Sequence, residues 1–262
     1  MTGSTLAHIS DLHCGSPHFA PTLLERTIAE LNELQPDVVV VSGDLTNFGL
    51  EDEYVTAYRY LERIECQNTI VVPGNHDSRN VGYVHFEELF GDRRSQLHTD
   101  GISVVAIDST EPDLDHGTVG RGLYPWIEES FRREAYLRLF VLHHHLLPIP
   151  GTGRERNVVH DAGDALECLQ RARVQMVLSG HKHVPYAWRL ENLFVVNAGT
   201  ASTTRLRGKT KPCYNVIEAS PERVRVFRKY PFHRREPIIS FDPATYEYEK
   251  DQSLLTRPPP SP

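Results

Sequence analysis

The amino-acid sequence predicts a single layered α/β domain. Short apolar strands alternate with amphipathic helical stretches up to residue 179, and after Gly180 strand-like runs follow one another without a long helix between them. The length of 262 residues fits one large α/β core better than two complete domains.

TLAHIS (5–10) reads as the first strand. Residues 21–34 read as a helix, with Leu23, Leu24, Ile28, Leu31 and Leu34 at core spacing. DVVVVS (37–42) is apolar on both faces, so it is expected as a buried strand. EDEYVTAYRYLERIE (51–65) is the next helix and TIVV (69–72) the next strand. A helix near 83–90, the strand SVVAID (103–108) and a helix around 125–135 continue the alternation. Then come the strand LRLFVLH (137–143), the helix DAGDALECLQRA (161–172) and the strand VQMVLS (174–179). PYAWRL (185–190), NLFVVN (192–197), CYNVIEA (213–219) and RVRVFRKY (223–230) read as an antiparallel half joined to a mixed half. The domain is expected over residues 1–242. A tail follows over 243–262, whose end TRPPPSP (256–262) should be extended and disordered.

Composition narrows the classes of function. The chain is 39% hydrophobic and 24% charged, with a net charge of −7. Non-specific binding to nucleic acid or to an anionic membrane is therefore not expected. No apolar run is long enough to span a membrane, and the first ten residues read as a strand rather than a secretory signal. Cys14, Cys66, Cys168 and Cys213 are far apart and form no CxxC pair, which suits reduced thiols and a cytoplasmic location.

The chemistry sits at the strand ends. Asp11-Leu12-His13 follows the first strand, Gly43-Asp44 the second and Gly74-Asn75-His76-Asp77 the third. His143, His144 and His145 follow LRLFVL, and Gly180-His181-Lys182-His183 follows VQMVLS. In open α/β sheets, ligands bind at the carboxyl ends of the strands. A glycine there lets the chain turn sharply and aim the next side chain. Residues two apart, such as Asp11 and His13 or His181 and His183, point the same way if the turn stays extended. One such residue alone is a cap or turn former; five in succession form a donor set. Its carboxylate, amide and imidazole groups suit Mn, Fe, Zn or Co, and their number exceeds what one ion needs.

With these five segments in view, the chain resembles the calcineurin-like metallophosphoesterases over roughly residues 5–200. NAGTASTTRLRG (197–208) and CYNVIE (213–218) resemble a bacterial branch with cyclic-nucleotide and glycerol phosphodiesterases. The resemblance implies a four-layer αββα sandwich of two mixed β-sheets flanked by helices, with two transition metal ions at one end. It implies that Asp11, His13 and His183 hold the first ion, that Asn75, His143 and His181 hold the second, and that Asp44 bridges both. His76 would be catalytic, donating to the leaving oxygen or stabilising the charge on the phosphoryl group, and Asp77 would orient it. The implied reaction is in-line attack of a metal-bridging hydroxide on a small phosphodiester, with 3′,5′-cAMP as the first expectation. Phosphomonoesterase, nucleotide pyrophosphatase and nuclease activities are the alternatives, and a non-catalytic scaffold protein is a further class. A homodimer is also a family-level expectation.

Aligning VLHHHL to the family segment, two histidines and a proline, puts the ligand on His143, with His144 as runner-up. In a persistent pleat His144 would face away from His143. Arg79 and Arg205 are candidate substrate contacts. The basic run Arg205, Arg207, Lys209, Lys211 also reads as a solvated hairpin tip. Cys14 and His8 are expected in packing roles, and His160 near a helix start. The Gly/Pro-rich loop 148–157 is a candidate wall of the site.

Overall fold

A computed structural model describes residues 3–153, 157–207 and 210–250. The chain begins β1 (Ser4–Ile9), α1 (Pro21–Leu34), β2 (Val38–Ser42), α2 (Glu51–Leu61), β3 (Thr69–Val72) and α3 (Gly82–Phe90). It continues as β4 (Ser95–Thr99), β5 (Ile102–Ala106), α4 (Tyr124–Ser130), β6 (Leu137–Val141), α5 (Ala162–Arg171) and β7 (Met176–Ser179). The last strands are β8 (Tyr186–Leu190), β9 (Leu193–Asn197), β10 (Tyr214–Ala219), β11 (Val224–Lys229), β12 (Arg235–Phe241) and β13 (Tyr248–Lys250).

Two mixed sheets form. The seven-stranded sheet has the order β13-β12-β11-β10-β1-β2-β3, and the six-stranded sheet the order β4-β5-β6-β7-β9-β8. In the first, β1, β2 and β3 are parallel, so their carboxyl ends share one edge. In the second, β5, β6, β7 and β9 are parallel.

The valine run of β2 shows how the layers arise. Val38 and Val40 enter the core between the sheets, which also holds Leu6, Val104, Leu139, Val141, Met176 and Leu178. Val39 and Val41 face the other way, onto Leu24, Ile28 and Leu31 of α1 and Tyr54 and Ala57 of α2. On the second sheet Phe140 and Val177 meet Ile127 of α4 and Leu169 of α5. Period-two strands buried on both faces thus produce the four-layer αββα sandwich.

Most predicted elements recur at shifted ends, and four differences stand out. The late strands do not form a separate antiparallel half: β8 and β9 join the second sheet while β10 to β13 join the first. The polar edge strand β4 has no apolar run to betray it. β12 contains Pro237, which demotes a strand reading, yet it pairs opposite Phe227 where the β11–β12 register shifts. β13 extends the first sheet beyond residue 242. The end of the tail, Lys209 and residues 154–156 lie outside the described residues.

Candidate metal centre

The segments after β1, β2, β3, β6 and β7 meet at one end of the sandwich. The first two run side by side: the amides of Asp11 and His13 donate to the carbonyls of Gly43 and Asp44, both at 2.9 Å. The turns are not extended as expected. Asp11, His13, Asp44, His181 and His183 all take left-handed backbone, with φ of 56°, 51°, 53°, 78° and 55°. Each such non-glycine residue costs on the order of 1 kcal/mol or more and persists only where its surroundings enforce it. The glycines before these residues differ in purpose. Gly43 has a φ of 90° and a Cβ there would also collide with Gly74 and the His143 ring, whereas Gly180 is required by space alone, because its Cβ would collide with Ser10 and the Asp11 carboxylate.

Three groups of donor atoms form, and within each all the atoms lie within 4.8 Å of one another: Asp11, His13 and His183; Asp44, His143 and His181; and His13, Asp44 and His76. Asp44 belongs to two of them. Its Oδ2 is 3.6 Å from His13 Nε2 and its Oδ1 3.4 Å from His143 Nε2. Asn75 Oδ1 lies 2.9 Å from His181 Nδ1 and 3.2 Å from His143 Nε2. His183 Nε2 is 3.4 Å from Asp11 Oδ1 and 2.8 Å from His13 Nε2.

Backbone carbonyls set the tautomers. His143 Nδ1–H donates to Ser42 O and His183 Nδ1–H to Arg205 O, both at 2.7 Å. Each bond turns an Nε2 lone pair inward. Burial opposes charging His143, but Asp44 outweighs it and holds the imidazole up at about 9. Burial pushes His13 down to about 3 and His181 well below its usual value. Two carboxylates, one amide oxygen and four imidazoles aimed at one another are a set of electron donors. That chemistry fits transition metal cations with mixed oxygen and nitrogen ligands.

His76 stands at the same place with a different connection. Its Nδ1–H donates to Asn47 O at 2.6 Å, its amide donates to Asp44 Oδ1 at 2.9 Å, and its ring meets that of His13 edge-on. The expectation that Asp77 orients His76 is corrected. The fully buried Asp77 carboxylate accepts from the amides of Leu45, Thr46 and Gly74 and from the Thr46 hydroxyl, at 2.7–3.0 Å. It joins the turns after β2 and β3. Burial and the Asp44 charge push it up to about 6 against those four donors. Glu53, at the third position of α2, accepts from the amides of Asn47, Phe48 and Leu50 and so holds the loop that presents the Asn47 carbonyl. An acidic residue three places past a helix start is the sequence signal for it.

The three consecutive histidines separate by their partners. His143 faces the donor groups. His144 accepts from the Ser109 hydroxyl at Nδ1 and donates from Nε2 to Asp115 O. His145 Nε2 donates to Gly180 O at 2.8 Å, steadying the turn that carries His181. The pleat has ended at Val141, so all three rings stay buried and the His143 and His144 rings meet edge-on at 5.2 Å.

A cavity of about 280 Å³ opens onto these groups, lined by His13, Asp44, Asn75, His76, His181 and His183 and by Arg79, Asp115, Lys182, Arg205 and Arg207. Arg79 pairs with Asp115 at 2.7 Å. Burial and Arg207 bring Lys182 down to about 8. Asp115, Lys182 and Arg207 were missed as individual residues in the sequence. Lys182 sits inside the G-H-K-H segment and Arg207 inside the basic run, and those were the available signals. The described part of the loop 148–157 contributes nothing to this lining. Cys14 packs in the helix-side core of the first sheet and His160 precedes α5, as expected; His8 is structural but fully buried rather than half-buried, hydrogen-bonded to Ser42 and Asn215.

Residues 4–185 match the calcineurin-like phosphoesterase family. Among similar curated proteins, a probable cyclic nucleotide phosphodiesterase of Xenorhabdus bovienii is 27% identical, over 74% of this chain and 82% of its own length. A glycerophosphodiester phosphodiesterase of Enterobacter lignolyticus is 37% identical, over 68% of this chain and 70% of its own. Among solved structures, a purple acid phosphatase of Lupinus luteus superposes with a TM-score of 0.68 at 12% identity, over 92% of this chain and 53% of its own. The inner-membrane-complex anchor GAP50 of Plasmodium superposes with a TM-score of 0.65 at 12% identity, over 95% of this chain and 89% of its own. At that identity the two structures show the fold alone.

Proposed function

Since the chain belongs to the calcineurin-like phosphoesterase family, we propose that it hydrolyses small phosphodiesters with two metal ions, 3′,5′-cyclic nucleotides being the first candidates. The observation that carries this is the sharing of Asp44 between two donor groups beside His76. Asp11, His13 and His183 would hold one ion, Asn75, His143 and His181 the other, and Asp44 both. Ions bound there lower the pKa of coordinated water toward neutrality and offset charge on the phosphoryl oxygens.

The chain's own groups do the rest. His76 keeps its Nδ1 proton on the Asn47 carbonyl, so its Nε2 is the atom that exchanges a proton with the leaving oxygen. The bond from the His76 amide to Asp44 Oδ1 holds this acid at a set distance from the bridging carboxylate. Cationic side chains around the cavity favour an anionic substrate, in a molecule whose net charge is −7.

The test uses the Mn²⁺-loaded protein with bis-p-nitrophenyl phosphate, p-nitrophenyl phosphate and 3′,5′-cAMP. Diester hydrolysis should exceed monoester hydrolysis, vanish on chelation and fall at least 10³-fold in Asp44→Ala. Hydrolysis that survives chelation or Asp44→Ala ends the reading, and a preference for the monoester reassigns the protein to phosphomonoesterase chemistry.

A further inference from the structure

Four cationic side chains line the cavity, and among the described residues one of them is held in an ion pair. Arg79 has Asp115 at 2.7 Å. Lys182, Arg205 and Arg207 make no ion pair and no side-chain hydrogen bond among the described residues. All three nevertheless border the same cavity of about 280 Å³ as Asp44, Asn75 and His76. Overall acidity makes this grouping more telling, since 35 acidic residues outnumber 28 lysines and arginines.

The backbone beneath these side chains is held in place. Arg205 O accepts from His183 Nδ1 at 2.7 Å and the Arg205 amide donates to the Thr203 hydroxyl at 3.1 Å. Arg207 O accepts from the Thr210 hydroxyl at 2.8 Å. Lys182 lies between His181 and His183, and its amide donates to Gly180 O at 3.1 Å. The cations are thus presented from segments tied to the donor groups, not from a free hairpin tip.

Like charges gathered at one concave site repel one another, and a matching anion relieves that repulsion. A scissile phosphodiester carries one negative charge, and it meets the donor groups and His76. Three further cations exceed what that single charge needs. We propose that Lys182, Arg205 and Arg207 form a subsite for a second anionic group, so that among small phosphodiesters those carrying a phosphate or carboxylate besides the ester that is cleaved bind more tightly than a plain 3′,5′-cyclic nucleotide, which fills only the metal end of the site. That the bound molecule is a substrate rests on the phosphodiesterase function proposed above; the subsite itself concerns binding alone.

Binding can therefore be tested apart from turnover. Calorimetry on the Mn²⁺-loaded 262-residue chain compares AMP with adenosine 2′,5′-bisphosphate and adenosine 3′,5′-bisphosphate, all three of which offer one 5′-phosphate. At least one bisphosphate should bind about tenfold or more tightly than AMP. The advantage should shrink as salt is raised. In the doubly substituted Arg205→Ala, Arg207→Ala protein it should fall to near unity, with residual AMP binding reporting an intact site. Bisphosphate and AMP affinities that agree in the unaltered protein overturn the proposal. So does an advantage that persists in the double variant. Hydrolysis of bis-p-nitrophenyl phosphate, followed in parallel, judges the phosphodiesterase reading separately: its absence beside a retained bisphosphate advantage sinks that reading and leaves the subsite.

Discussion

Asp77 grips Thr46 twice, accepting from its amide at 2.8 Å and from its hydroxyl at 2.7 Å. With the amides of Leu45 and Gly74 added, every partner of this carboxylate is a donor. Asp77→Asn would turn an NH₂ group toward donors. The expected cost is about 1–3 kcal/mol of stability, with metal affinity reduced roughly 10–100-fold because the turns carrying Asp44 and Asn75 loosen. Thermal unfolding and metal calorimetry check both. A variant of unchanged stability whose only defect is a displaced pH profile would return Asp77 to the role of orienting His76.

The three neighbouring histidines should respond differently to alanine. His143→Ala should lose bound metal, since its Nε2 faces Asp44 and Asn75. His144→Ala should retain metal but lose roughly 2–4 kcal/mol of stability, through its bonds to Ser109 and Asp115 and the space it leaves. His145→Ala should weaken metal binding only moderately, by way of the Gly180 turn. Metal content measured by mass spectrometry distinguishes them; equal loss in all three would refute the division.

For His76→Ala the leaving group decides the size of the effect. An alkoxide needs a proton as it departs, whereas p-nitrophenolate does not. The fall in kcat should be about 10²–10⁴-fold on 3′,5′-cAMP and at least tenfold smaller on bis-p-nitrophenyl phosphate. Equal losses on both substrates would mean that His76 stabilises charge and does not deliver the proton.

Asp161 offers a pH test away from the metal centre. Burial alone would push its carboxyl up, but the Tyr124 hydroxyl at 2.6 Å and the amides of Val119 and Gly120 outweigh it, so the folded value lies below the usual carboxylate range. A depressed folded pKa means the unfolded chain binds the proton more tightly. The stabilisation is therefore complete above the unfolded value of about 4 and is lost as pH falls through the folded one. Asp161→Asn should lower stability near pH 7 by on the order of 1 kcal/mol, discounted for partial exposure, and the difference from the parent should narrow toward pH 3. Melting curves at several pH values measure this, and a gap that widens in acid would contradict it.

The candidate site was largely legible because its signals are local. An apolar run followed by Asp-Leu-His, Gly-Asp, Gly-Asn-His-Asp, three histidines or Gly-His-Lys-His needs no partner to be seen. The α/β class and the alternation of strands and helices to residue 179 are legible for the same reason: hydrophobic period is a property of neighbouring residues. Tertiary structure decided what those residues touch. Whether β8 to β13 enlarge the first or the second sheet depends on which faces meet, and an alternating strand suits either. The left-handed turns at Asp11, His13, Asp44, His181 and His183 are held by contacts between loops. Asn47 presents a carbonyl to His76, and a carbonyl belongs to every residue, so no side-chain pattern announces it. Asp77 was expected to partner His76 because the family resemblance implied it. The folded chain instead offers its carboxylate four donors from other turns, and a buried carboxylate goes where donors are.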